Sequence, residues 1–216
     1  MLASSVSRLL RLTIVVTVIA LCAACPGEQL QVHGAPFAGP AYSTTLHGDT
    51  SFTTDQRLVI IGALQRLQAQ TQGLFAISVV FDLDFNSIQS LKEHYDDDMI
   101  LAIDSNVGFV EEFDSTKGCC LLGLTVHGQD VWYASDMPGT KIFIIMDRMV
   151  DDQMLTSVVM HEAGHAAMLE HTWLDSRGLM TGLGIHHPPT TCLHKSDAQE
   201  IARVYNIDPS RILTCD

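Results

Sequence analysis

Eleven residues, HEAGHAAMLEH from His161 to His171, constrain this chain more than the rest of it, because they demand a helix and an end to that helix within one short segment. His161 and His165 are four apart, so on an α-helix both rings stand on one face, about 6 Å apart along the axis, and can reach a single ion. Glu162 follows the first of them on a neighbouring face, where its carboxylate can touch a water held by that ion without itself coordinating. His171 comes six residues after His165, and a continuous helix would turn it roughly 240° away from the pair. It can join them only if the helix stops and the chain reverses, so a break is expected near Met168. From this chain's own residue frequencies, a bare H-E-x-x-H arises by chance in about 2% of such chains, and with the third His in about one in a thousand. Chance is a poor explanation, and a zinc site on His161, His165 and His171, with Glu162 as general base, is the reading adopted.

The pattern resembles the signature of the metzincin zinc metallopeptidases, in which the three-histidine motif is followed by a methionine turn. Here Gly178-Leu179-Met180-Thr181 places a Met nine residues after the third His, a spacing similar to that of the matrixin branch. The resemblance implies peptide-bond hydrolysis, zinc on His161, His165 and His171, Glu162 as the catalytic base, and Met180 as an apolar floor beneath the metal. One residue departs from the pattern: the family places Gly where this chain has Met168. Glycine enters the left-handed conformation without a Cβ clash, whereas Met there costs roughly 1 to 2 kcal/mol. Either metal ligation overrides that strain, or the turn is built differently and His171 is not the third ligand. Thr172 also stands where matrixins usually have Ser, and no Tyr follows Met180 to act as a further ligand.

Length and charge agree with one exported catalytic domain. The 216 residues, 47% of them hydrophobic, can bury one sizeable core. Residues 1–24 read as a signal peptide: Arg8 and Arg11 form its positive start, Leu12 to Leu21 its apolar run, and that run is too short to span a bilayer comfortably. Removing these two arginines takes the formal charge from −13 to −15, so nucleic acid is not an expected partner. Ala23-Ala24-Cys25 resembles a lipobox, with Cys22 where Leu is usual. Cys25 is therefore either a lipidated first residue, the chain's one route to a membrane, or part of an ordinary secreted terminus. Residues 25–40, rich in Gly and Pro, read as a tether, and residues 41–216 as the catalytic domain, expected to be monomeric. Cys119, Cys120, Cys192 and Cys215 remain in an oxidising compartment and suggest two disulfides. Adjacent residues rarely bridge each other, so Cys119 and Cys120 are expected to pair with Cys192 and Cys215, in an order left open.

The order of elements indicates an α+β fold. Strands are expected at Tyr42 to Leu46, Phe75 to Leu83, Met99 to Ile103, Leu121 to His127 and Lys141 to Met146. Thr54 to Gln72 reads as an amphipathic backing helix capped by Thr54 or Asp55. Asp151 or Asp152 caps the active-site helix, and Ser196 or Asp197 opens a last helix that Asp208-Pro209 ends. The resemblance implies a metzincin (zincin-like) arrangement: a twisted mixed sheet with the active-site helix, Met-turn and C-terminal helix, and Gly123 to His127 as the edge that pairs with an extended peptide substrate. Asp96-Asp97-Asp98 is a candidate structural calcium site or, as a plainer reading, a solvated turn. His186 and His187 line the cleft or belong to a solvated loop. Two functions of different class follow: a zinc endopeptidase acting on extracytoplasmic proteins, or a non-catalytic zinc-binding surface lipoprotein of the same fold. Glu162 favours the enzyme, since a binder has no physical need of that carboxylate.

Overall fold

The computed structural model describes residues 19–20, 42–85, 96–108, 110–111, 114, 121–127, 139–172, 177–181 and 189–215. They form β1 (Ile19–Ala20), β2 (Tyr42–Asp49), α1 (Thr54–Gln70), β3 (Phe75–Leu83), β4 (Met99–Ile103), β5 (Gly123–His127), β6 (Thr140–Ile145), α2 (Asp152–Ala166) and α3 (Lys195–Tyr205), with short 3-10 turns at Met146–Arg148 and Pro209–Arg211. The α+β class expected from the sequence is the class observed.

One mixed sheet runs in the order β1-β5-β6-β4-β2-β3. β3, β2, β4 and β6 are mutually parallel, and β5 is antiparallel to β6, with His127 opposite Thr140 and Gly123 opposite Ile144. β1 is a two-residue antiparallel ladder on the outer edge of β5, Ile19 facing Thr125 and Ala20 facing Leu124. The central strands MILAI and KIFII are nearly all apolar because both faces are covered, as parallel strands require. Alternate residues part the core in two. Ile100, Ile142 and Ile144 join Leu64 and Leu67 of α1 and Val158 and Val159 of α2 on one face, while Met99, Leu101, Phe143 and Ile145 cluster with Leu124 and Val126 on the other.

Local chemistry moves several boundaries from their expected places. Thr53 caps α1, not Thr54 or Asp55, through a reciprocal capping box in which the Gln56 amide donates to the Thr53 hydroxyl and the Thr53 amide to the Gln56 side chain. Asp151 caps α2, accepting from the Met154 amide at 2.7 Å. α3 starts at Lys195, with His194 as its N-cap, one residue before the expected opening. It ends at Asn206, which takes a left-handed φ of 51°, so the helix is over before Asp208-Pro209. β5 begins at Gly123 because Leu121 is already engaged: its amide donates to Asp114 and its carbonyl accepts from Arg148 at 2.6 Å.

The expected cystine pairing is corrected. Cys192 bridges Cys215, with Cα atoms 6.1 Å apart, so neither pairs with Cys119 or Cys120, which lie outside the described residues. After α3 the chain returns through the Pro209–Arg211 turn, where the Cys215 amide donates to the Leu193 carbonyl and the Leu213 amide to the carbonyl of Gln70. Gln70 also accepts from the Leu193 amide at 3.2 Å, so the end of α1 gathers both halves of the bridge. Apart from β1, the expected signal peptide and tether fall outside the described residues, and among these residues no helix is long and apolar enough to cross a membrane.

Candidate metal centre

α2 carries His161 and His165 on one face, and the chain reverses immediately after it to bring up His171. The reversal is a left-handed C-cap. Ala167 closes the helix, Met168 adopts a φ of 65°, the Met168 amide donates to His165 and the Leu169 amide donates back to Gly164 at 3.0 Å. That six-to-one bond with its inner partner is a Schellman closure, and the buried Leu169 beneath it supplies the accompanying apolar contact. The expected break thus lies at Met168, with the strained dihedral kept despite the missing glycine. Tyr205 of α3 holds the turn from behind, its hydroxyl donating to the Ala167 carbonyl at 2.8 Å.

This turn brings three imidazole nitrogens together. His161 Nε2 lies 2.9 Å from His165 Nε2, and each lies 3.2 Å from His171 Nε2. A tetrahedral zinc with bonds of about 2.0 to 2.1 Å holds its nitrogens about 3.3 Å apart, close to the two edges that meet at His171, while the His161–His165 edge is shorter. The tautomers agree. His161 Nδ1 lies 2.7 Å from the Leu179 carbonyl and His165 Nδ1 2.7 Å from that of Leu169. A carbonyl can only accept, so both Nδ1 atoms carry the proton and both Nε2 atoms present bare lone pairs to each other. Burial pushes the His161 imidazole down to about 4 and the His171 imidazole to about 3, the latter with help from His161, and drives His165 well below its usual value. Neutral rings with converging lone pairs repel one another unless a cation sits between them. Among the described residues these three are the one group whose ligand atoms gather closely enough to hold an ion.

Glu162 is fully buried between α2 and β5. Its Oε2 accepts from the Thr125 hydroxyl at 2.8 Å, and its Oε1 has no hydrogen-bond partner. Burial pushes the carboxyl up to about 8, with the Thr125 hydrogen bond opposing. β5 presents Gly123, Thr125 and His127 on a single face, because residues two apart share a side of a strand. A Cβ on Gly123 would come within 2.7 Å of Glu162 Oε1, and His127 Nε2 reaches the His165 carbonyl at 2.9 Å.

Met180 is buried under α2, and a Cβ on Gly164 would stand 2.5 Å from its sulfur, so the helix is notched to admit the thioether. The turn carrying Met180 is tied from several sides. The Thr172 amide donates to the Met180 carbonyl at 2.7 Å. The buried Asp197 of α3 accepts from the amides of Leu179 (2.8 Å), Met180 (2.9 Å) and His194 (2.7 Å). Burial raises the Asp197 carboxyl while the three amides oppose that rise.

The sequence named His161, Glu162, His165, His171 and Met180; the fold gathers the three histidine nitrogens, keeps Glu162 next to His161 on α2 and sets Met180 against Gly164 of the same helix. It missed Thr125, His127, Gly164 and Tyr205, and took Asp197 for a helix cap only. The one available signal was the alternation of Gly123, Thr125 and His127 with apolar residues, which marks a face unlike the rest of the core. Among the described residues the Asp96–Asp98 turn is not gathered as a metal-ligand group; Lys141 donates its ammonium to the Asp97 carbonyl, and Asp98 accepts from the Thr140 amide and the Thr44 hydroxyl. His186 and His187 lie outside the described residues. No protein-family model matches this chain and no curated protein matches it, so what the centre does has to be read from its own residues.

Proposed function

We propose that the chain is a zinc-dependent endopeptidase, metzincin-like and of the matrixin kind, that hydrolyses peptide bonds of proteins outside the cytoplasm. The observation that carries this reading is the triangle of three Nε2 atoms, two of them fixed as bare lone pairs by their Nδ1 bonds, beside a buried carboxylate with one unpartnered oxygen. His161, His165 and His171 would hold the metal through Nε2. Zinc bound there supplies Lewis acidity and lowers the pKa of water at its open position to about 7.

Glu162 then has a defined task. Oε1, the oxygen without a partner, accepts the proton of the attacking water as the C–O bond forms, and the same carboxyl returns it to the amine nitrogen as the C–N bond breaks. Substrate would lie along the outer edge of β5 as an added strand, as Ile19–Ala20 does, which aligns its carbonyls by backbone hydrogen bonds. Export is supported by the Cys192–Cys215 bridge, since such bonds persist in oxidising compartments.

Metal analysis of the domain comprising residues 41–216, with a peptide-library cleavage assay, tests the proposal. About one zinc per chain is expected, lost in His161→Ala and in His165→Ala. Glu162→Gln should keep zinc and fold yet cleave at least about 10²-fold more slowly. Full occupancy in either His variant would overturn the centre. A zinc-loaded wild type that cleaves nothing across a broad library would leave the non-catalytic zinc-binding lipoprotein as the better account.

A further inference from the structure

We infer that Thr125 is the positioning residue of the base, a side chain on β5 that sets which oxygen of Glu162 works; this rests on the reading of Glu162 as proton acceptor. The Thr125 hydroxyl lies 2.8 Å from Glu162 Oε2 and 2.9 Å from the backbone carbonyl of the same residue. It therefore touches both ends of one glutamate. Three bonds separate Cα from the carboxylate, and a side chain with that freedom holds one rotamer only where something selects it. Here two things do. The hydroxyl tethers Oε2, and the missing Cβ at Gly123 leaves a hollow for Oε1, which any larger residue would fill at 2.7 Å.

The consequence is an asymmetric carboxylate. Oε2 accepts from Thr125, while Oε1 is buried and without a partner and is the oxygen left for the proton that moves during hydrolysis. Residues 123 and 125 share a face of β5, so one strand supplies both the tether and the hollow. The same strand presents its outer edge to β1. Base and substrate edge are thereby held by one element, and a shift of β5 would move both together. Arg148 and Asp114, which grip Leu121 two residues before Gly123, fix the start of that strand.

The test uses the full chain with Thr125→Val, which keeps the shape and removes the hydroxyl, Thr125→Ser, which keeps the hydroxyl, and Gly123→Ala, which fills the hollow. In the zinc-loaded protein, Thr125→Val should lower kcat by about 10- to 100-fold with KM and zinc content unchanged, and Thr125→Ser should restore most of it. Metal-free crystal structures give a readout that needs no activity: the Glu162 carboxylate should stay in place in wild type and Thr125→Ser and leave it in Thr125→Val and Gly123→Ala. An unmoved carboxylate in Thr125→Val, or a moved one with unchanged kcat, overturns the inference. A wild type that cleaves nothing overturns the proposed function instead, while the structures still decide whether Thr125 sets the carboxylate. If Thr125→Val does not fold, Thr125→Ala, which also lacks the hydroxyl, carries the same comparison.

Discussion

Replacing Met168 by glycine should stabilise this protein, although it deletes a side chain next to the histidine triangle. The residue sits at φ 65°, where a Cβ approaches the following carbonyl oxygen and costs about 1 to 2 kcal/mol. Glycine removes that clash but adds about 0.5 to 1 kcal/mol of chain entropy to the unfolded state. The side chain is 40% exposed, so little packing is given up. The balance is a gain of about 0.5 to 1 kcal/mol, which for a domain of this size raises Tm by roughly 1 to 4 °C. The assay is a urea titration of the zinc-free protein, in which the midpoint should rise at constant slope. Met168→Ala serves as control: alanine keeps the Cβ, hence the strain, and should gain nothing. A lower midpoint for glycine would refute the argument and mean that Met168 packs or that the left-handed turn is not held. An equal gain for alanine would place the cost in the side chain instead of the dihedral.

Gly164→Ala should lower Tm even though alanine favours a helix by about 1 kcal/mol, because the new Cβ meets the Met180 sulfur at 2.5 Å and overpacking costs about 1 to 3 kcal/mol; a raised Tm would show that the methionine yields freely. Asp197→Asn should destabilise by about 2 kcal/mol or more, since an amide cannot accept from all three amides of Leu179, Met180 and His194 with its one remaining oxygen, and a midpoint within error of wild type would contradict that. Cys192 and Cys215 should resist thiol labelling until a reductant is added and appear as one linked peptide pair in mass mapping. Opening their loop should cost about 3 kcal/mol, and free labelling of either in the native protein would contradict the bridge.

What the sequence disclosed was what a local rule can carry. Helical spacing put His161 and His165 on one face, and the six-residue gap to His171 forced the break that the structure places at Met168. The nearly all-apolar runs of β4 and β6 marked both as strands. What stayed hidden depended on where distant segments meet. Thr125 reads as an ordinary strand residue until the packing of β5 against α2 sets it 37 positions from its partner. Cysteine spacing could not reveal that the chain after α3 doubles back to Cys192, and Asp197 at the third position of a helix looks complete as a cap, so nothing local hinted at the Met-turn it also holds. Four residues break the local rules of their own elements: a glycine inside α2 (Gly164), a glycine heading a buried strand (Gly123), a methionine in the left-handed region (Met168) and a carboxylate sealed in the core (Glu162). Gly164 opens onto the Met180 sulfur, Gly123 onto the Glu162 carboxylate, and Met168 donates its amide to the His165 carbonyl. Conflicts elsewhere are answered locally: Gln72 takes a left-handed φ of 51° in the turn after α1, the buried Lys141 donates to the Asp97 carbonyl, and the buried Asp197 accepts three backbone amides, whereas Glu162 Oε1 is buried without a partner.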